Sequence, residues 1–270
     1  MKTEANARLS SRSPGILARL AAIEDGSIIR FAFFALLLGT ASVLYVDFRD
    51  LTQQQQPAAL APNVVPILPP ADPERGVAGR PMPHITSTPE ALESPLAITL
   101  EAGGALKLTG TIDPGAAQRF ADEIAARGEY VKTVVLDSPG GSVMDALEIG
   151  ALIQDKGLAT EVAAGNLCAS SCPIIFASGA ERLASPDSAI GLHQIYAASL
   201  GASAVDALAV AGVAMSDAQS MTAQITRHLT ESGVDPALWL HALDTPPDRL
   251  YYLSAEEMQR LKLVTHMVEN

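Results

Sequence analysis

The chain has 270 residues, enough for one sizeable domain or two small ones, with 48% hydrophobic residues and a formal net charge of −12. Residues 1–30 carry +2, which leaves −14 on the remainder; that balance excludes the clustered Lys and Arg that phosphate contacts need, so no nucleic-acid partner is expected. The two cysteines, Cys168 and Cys172, form neither a disulfide framework nor a ligand set with histidine, so no metal and no other cofactor is expected.

Residues 1–27 are polar and rich in Ala and Arg, and read as an N-terminal tail. From Ile28 to Val46 the sequence is almost wholly apolar, with only Arg30 interrupting near its start. That length approaches the ~20 residues a helix needs to cross a bilayer core. Arg30 can snorkel to the headgroups and Tyr45 suits the opposite interface. A cleaved signal peptide fits poorly, because the apolar run continues past Ala41-Ser42-Val43, the nearest small-residue site. A buried core helix is the other alternative, but no amphipathic pattern flanks the run. Residues 28–47 are therefore expected to be a single membrane anchor. Basic residues precede it, so the N-terminus is expected in the cytoplasm and the rest on the far side, the periplasm if the membrane is a bacterial inner membrane.

Residues 48–95 hold a run of glutamines at 53–56 and ten prolines. Such proline density removes backbone donors and predicts an extended, flexible linker, with a peptide docked on a partner as the alternative. The globular domain is expected over residues 96–270.

Within it, 97–100 and 105–111 read as strands. Asp113-Pro114 reads as the cap and first turn of a helix running to about Ala126. Val131 to Leu136 is an apolar, β-branched run of the buried parallel type. Ser142 is placed to cap a helix over 143–156, closed by Gly157. A strand over 159–163 follows. Ser170 to Ala177 reads as a helix, and 182–184 and 189–193 as short strands. Residues 196–215 suit a mobile lid or a helix packed on another subunit. Helices are expected over 216–232 and 236–243, and a strand over 250–253. Ser254 and Glu257 form a capping-box pattern. The alternation predicts an α/β fold of βαβ units, whose ligands sit beyond the carboxyl ends of strands.

Three pieces lie at or near such ends. Asp137-Ser138-Pro139-Gly140-Gly141-Ser142 supplies a turn of glycine amides. Gly165 to Cys172 supplies hydroxyls among small residues. Ile190-Gly191-Leu192-His193-Gln194 supplies a histidine. An oxyanion hole, a nucleophile and a base are the parts of a serine hydrolase site. Glycine at 140 and 141 lets the backbone turn and approach a substrate; the competing reading is a plain tight turn. No G-x-x-x-x-G-K-[ST] loop is present, so no ATPase is expected in this chain.

Ser138 to Ser142, Cys168-Ala169-Ser170-Ser171-Cys172, Ala177-Ser178-Gly179-Ala180, Ile190 to Gln194 and Leu253-Ser254-Ala255-Glu256-Glu257 occur in an order and near a spacing that resembles the ClpP/crotonase-like superfamily over about 105–265. Within it the chain is more similar to the Clp protease proteolytic subunit than to enoyl-CoA hydratases. It also resembles a group of membrane-tethered periplasmic proteins with a Cys-Ala-Ser-x-Cys signature. The resemblance implies a spiral of ββα units, a homo-oligomeric ring and a Ser-His-Asp triad. It implies Ser170 as nucleophile, with Ser171 the nearest competitor, His193 as base, and the amides of Gly141 and Ser171 as the oxyanion hole. It implies Asp248 as the third member, with Asp244 as rival. A serine–lysine dyad, as in related signal-peptide peptidases, finds no lysine between residues 157 and 261.

Cys168 and Cys172 bracket Ser170. Four residues apart on a helix they could fall within disulfide range, and an oxidising compartment permits that bond. Two small buried hydrophobes is the preferred reading. The expected function is a membrane-anchored periplasmic serine peptidase cleaving peptides or unfolded segments. The alternatives are a non-catalytic assembly or peptide-binding module and, third, a crotonase-like acyl-transfer enzyme.

Overall fold

The computed structural model describes residues 25–54, 72–195 and 204–268. Two compact units divide the chain, residues 1–62 and 63–270. In the first, helix α1 spans Asp25–Gln54. Its stretch Ile29–Val46 has a mean hydropathy of 1.9, is wholly exposed, and is long and apolar enough to cross a membrane. At 1.5 Å per residue, 18 residues make about 27 Å of apolar rod, near the thickness of a hydrocarbon core. The hydroxyls of Thr40 and Ser42 donate to the carbonyls of Leu36 and Leu38, at 2.9 and 2.8 Å, so these two hydroxyls are satisfied by the helix itself.

The second unit is a mixed α/β domain. Its strands are β1 (Ala97–Leu100), β2 (Ala105–Thr109), β3 (Thr133–Asp137), β4 (Ala159–Val162), β5 (Leu167–Ala169), β6 (Arg182–Ala184), β7 (Ala189–Leu192), β8 (Tyr251–Tyr252) and β9 (His266–Met267). A six-stranded sheet runs β1-β2-β3-β4-β6-β9, and a three-stranded sheet runs β5-β7-β8. Apart from the β1–β2 and β7–β8 pairs, every neighbouring pair is parallel. The helices are α2 (Pro89–Glu93), α3 (Ala116–Arg127), α4 (Val143–Lys156), α5 (Cys172–Ala177), α6 (Ala204–Glu231), α7 (Leu238–Leu243) and α8 (Ala255–Arg260). Phe120 of α3, Ile149 and Ile153 of α4 and Phe176 of α5 are fully buried in one core with Leu106, Leu108 and Leu136 of the sheet.

Several local readings hold. Ser142 caps α4, accepting from the Asp145 amide at 3.2 Å, and Gly157 closes it in the left-handed conformation at φ 62. Ser254 and Glu257 form the full capping box of α8. Others change. Asp113 does not cap α3; its carboxylate accepts from the Leu96 amide and binds Arg119. The cap comes instead from Asp145 of α4, whose Oδ1 accepts from the amides of Gly115 and Ala117, both at 3.0 Å. Of the two readings for 196–215, the helix and not the lid holds over 204–215, and it is continuous with the helix expected over 216–232, so that 204–231 form one helix; 196–203 lie outside the described residues.

Residues 72–88, read from sequence as flexible linker, form a strap against the domain. The Val77 amide donates to the Leu250 carbonyl and the Leu250 amide to the Arg75 carbonyl, at 3.0 and 2.7 Å. Tyr252 Oη donates to the Pro73 carbonyl. The Arg80 guanidinium lies 4.1 Å from the centre of the Tyr251 ring and is bound to Glu257. Proline density forbids helix and ladder but leaves carbonyls and the remaining amides free to dock.

Candidate active site

The site forms where the two sheets join. Past Asp137 the chain leaves its β2 and β4 neighbours. The Ser138 amide donates to Leu167 and the Ala169 amide donates to the Ser138 carbonyl, at 2.6 and 3.0 Å, so the end of β3 pairs with β5. Asp137, buried at the junction, accepts from the Leu167 amide (3.1 Å) and from Ser87 Oγ of the strap (2.6 Å).

The glycine turn comes next. Gly140 has φ 96 and Gly141 φ 143, both in the region that favours glycine. A Cβ on Gly140 would stand 2.5 Å from Ser170 Cβ and 2.9 Å from Ser170 Oγ, so the turn lies directly against that hydroxyl. Ile112 grips either side of Gly141: its amide donates to the Gly140 carbonyl at 2.8 Å, and its carbonyl accepts from the Ser142 amide at 2.7 Å. The Gly141 amide itself has no partner among the described residues, and neither has that of Ser171.

Ser170 follows β5 and precedes α5 by two residues. Its φ is 63, one of two non-glycine residues with positive φ among those described. A left-handed conformation costs an ordinary residue about 1–2 kcal/mol, and such outliers cluster at functional sites. The Ser170 amide donates to Gly191 of β7 at 3.0 Å. Since β5 and β7 run parallel with Ala169 opposite Gly191, Ser170 and His193 both emerge at the same end of the three-stranded sheet, each one residue past its strand.

Six buried polar side-chain atoms among the described residues lack a hydrogen-bond partner, and four belong to Ser170, Ser171 and His193. Buried polar groups are normally paired, so this concentration calls for a functional account. Burial pushes the His193 pKa down; the Gln194 backbone opposes this in part, without hydrogen-bond geometry to either ring nitrogen. The imidazole is therefore neutral at pH 7, the form a general base requires.

The expected constellation is thus assembled in part. Gly140, Gly141, Ser170, Ser171 and His193 gather at one end of the small sheet. Ser170 Oγ and His193 do not hydrogen-bond to each other. Asp248 and Asp244 are exposed, in the segment before β8, and neither accepts from His193. Asp248 faces Arg249 Nε at 3.9 Å instead.

Cys168 and Cys172 are fully buried, as small hydrophobes would be, but they are joined by a disulfide with a Cα–Cα distance of 5.1 Å. They do not share a helix: Cys168 is on β5 and Cys172 opens α5. The left-handed turn at Ser170 doubles the chain back and brings them together, which a helical spacing argument does not foresee.

A second Ser–His pair lies elsewhere. Ser178 Oγ is 2.9 Å from His228 Nε2, and the Ile174 carbonyl is 2.9 Å from the hydroxyl and 3.1 Å from the ring nitrogen. It ties α5 to α6, packed so closely on α4 that a Cβ on Gly150 would reach His228 Cε1 at 3.2 Å. Ser178 ends α5 in ordinary right-handed geometry at φ −80, with no glycine turn against it. Nothing in the spacing of His228 marks this pair.

Among the described residues no group of three or more His, Cys, Asp or Glu could hold a metal ion. No protein-family model matches the chain, and no curated protein matches it.

Proposed function

We propose that the chain is a membrane-anchored serine hydrolase acting on peptide bonds, with Ser170 as nucleophile and His193 as base. The observation that carries this reading is Ser170 itself: a buried, unpaired hydroxyl on a left-handed backbone, pressed against a glycine turn beside two unused amides. His193 takes the Ser170 proton as Oγ attacks the carbonyl. The Gly141 and Ser171 amides receive the oxyanion, and the imidazolium returns its proton to the leaving amine. Water then releases the acyl group by the same steps. The Ser170–His193 hydrogen bond forms on substrate binding, as catalytic contacts do in many sites that are loose when empty. Asp248 makes no hydrogen bond to His193, so the chemistry is assigned to the pair alone. Pro139 lines a cleft with Met82, Pro83, Ile85 and Leu92, which offers apolar walls to a substrate side chain.

The resemblance to the ClpP branch supports the peptide substrate, the spiral of ββα units and a homo-oligomer. The apolar helix with basic residues before it supports an anchor whose domain faces the periplasm, and a disulfide suits that oxidising side.

The test is fluorophosphonate labelling of the full chain in detergent, read by mass spectrometry. One adduct on Ser170, absent from Ser170→Ala, is expected. No adduct on a folded protein favours the non-catalytic peptide-binding module, a reading that the missing carboxylate supports.

A further inference from the structure

We propose that the Cys168–Cys172 disulfide is a positioning element for Ser170, so that the hydroxyl is competent only while that bond is closed. This rests on Ser170 being the nucleophile. The bond closes a ring of five residues with Ser170 at its centre. Ser170 pays for its left-handed φ, so something must hold it there.

On the N-terminal side the restraints are plentiful. The Ala169 amide is bound to Ser138, the Ser170 amide is bound to Gly191, and β5 is paired with β7. On the C-terminal side α5 is packed in the core, but among the described residues the hydrogen bonds that fix Ser171 are few. The Ser171 hydroxyl and amide are unpaired, Pro173 has no amide hydrogen, and the Ser171 carbonyl accepts one bond, from the Ile174 amide at 3.1 Å. The disulfide is the covalent restraint on that side. It ties the first residue of α5 to β5 across Ser170. With the bond open, Ser170 returns to negative φ, its Oγ swings away from Gly140, and the Ser171 amide leaves the oxyanion position.

The opening chemistry balances with a dithiol reductant. One thiolate attacks a cystine sulfur, the S–S bond breaks, and the second thiol resolves the mixed disulfide. Two cysteine thiols and one oxidised dithiol result, a transfer of two electrons and two protons. Both sulfurs are buried, so the reaction passes through local opening of this segment. A site of this kind works in an oxidising compartment and is silent in a reducing one.

The experiment uses the full chain in detergent, oxidised or treated with dithiothreitol, with thiols counted by maleimide mass shift and fold followed by emission of the single, buried Trp239. Labelling at Ser170 is expected to slow at least tenfold as two thiols appear, to recover on reoxidation with glutathione disulfide, and to leave Trp239 emission unchanged. The pair Cys168→Ala/Cys172→Ala should label at the slow rate and ignore dithiothreitol. Equal labelling in both redox states overturns the proposal; so does loss of Trp239 burial on reduction, which would make the bond a general staple. Hydrogen exchange keeps the inference separate from the hydrolase reading. The Ser170 amide should lose protection at least tenfold on reduction while the β3 amides keep theirs, whether or not the protein labels. Unchanged protection overturns the proposal even if no label is ever seen.

Discussion

The domain contains two buried serine–histidine couples, and they are opposites. Ser178 and His228 are hydrogen-bonded to each other and to the Ile174 carbonyl, on unstrained helical backbone. The Ser170 hydroxyl and the His193 ring have no hydrogen-bond partner among the described residues, and Ser170 sits on left-handed backbone. A search for a serine close to a histidine would select Ser178 and His228, not the couple proposed for catalysis. Satisfied polar groups in a core stabilise it; unsatisfied ones persist only where the surrounding fold imposes them. It is the unpaired couple that calls for a functional account.

The comparison breaks most readily at the two hydroxyls. Ser170→Ala should abolish fluorophosphonate labelling, a loss on the order of 1,000-fold or more, with unchanged thermal stability. Ser178→Ala should leave labelling within about threefold and lower stability by about 1–3 kcal/mol, because His228 loses a buried partner. The reverse outcome would transfer the site to α5 and α6.

Gly140→Ala comes next. Its Cβ would meet Ser170 Cβ at 2.5 Å and the Ala169 carbonyl at 2.7 Å, at a φ of 96 that alanine rarely adopts. A loss of roughly 100-fold in labelling rate is expected, the scale of one damaged oxyanion donor. Gly150→Ala, beside the Ser178–His228 pair, should lower the melting temperature and leave the rate of the folded protein in place.

The two histidines also differ in what pH reveals. Burial lowers the pKa of both; the Ile174 carbonyl and Glu231 oppose this at His228. Each favours the neutral ring in the folded state, so each contributes stability that is complete above the unfolded value of about 6.5 and is lost as pH falls through the lowered folded value. Denaturant titrations from pH 8 to 5 should show that decline in the native protein and a smaller one in His228→Gln. The labelling rate should be governed by His193 alone, with its lower midpoint below about 6.5 and unmoved by His228→Gln.

The smallest effects should come from the carboxylates outside the pair. Asp248→Ala is expected to change labelling by less than about threefold; a loss of about 10,000-fold, as in a working triad, would show that the segment before β8 closes onto His193. Ser87→Ala removes the strap's 2.6 Å bond to Asp137 and should cost about 1 kcal/mol, read as a shift in denaturant midpoint.

What could be read from sequence followed local chemistry. The apolar stretch of α1, the Ser142 and Ser254 caps, the Gly157 stop and the β-branched run of β3 each announce themselves within a few residues. The glycine turn, Ser170 and His193 were legible as residue types at the ends of apolar runs. What escaped depends on partners distant in sequence. Leu167–Ala169 is too short to signal a strand, so the segment to Cys172 reads as helix, and the left-handed turn that joins the cysteines stays hidden. Asp145 reaches back 28 to 30 residues in sequence to cap α3, and Asp113 yields the role that its Asp-Pro context suggests. The strap escaped because proline content reports what a segment cannot form, not where it docks.

That strap also occupies part of a sheet margin. Leu250 turns its amide and carbonyl away from β7, and Arg75 and Val77 occupy both. Residues 75–77 thus pair with Leu250 at the lead-in to β8, the outermost strand of the small sheet. An uncovered margin is a template for strand addition by a neighbouring molecule. A fragment beginning at Asp72 should stay dispersed, while one beginning at Ala97 presents that margin to its copies and should self-associate through it.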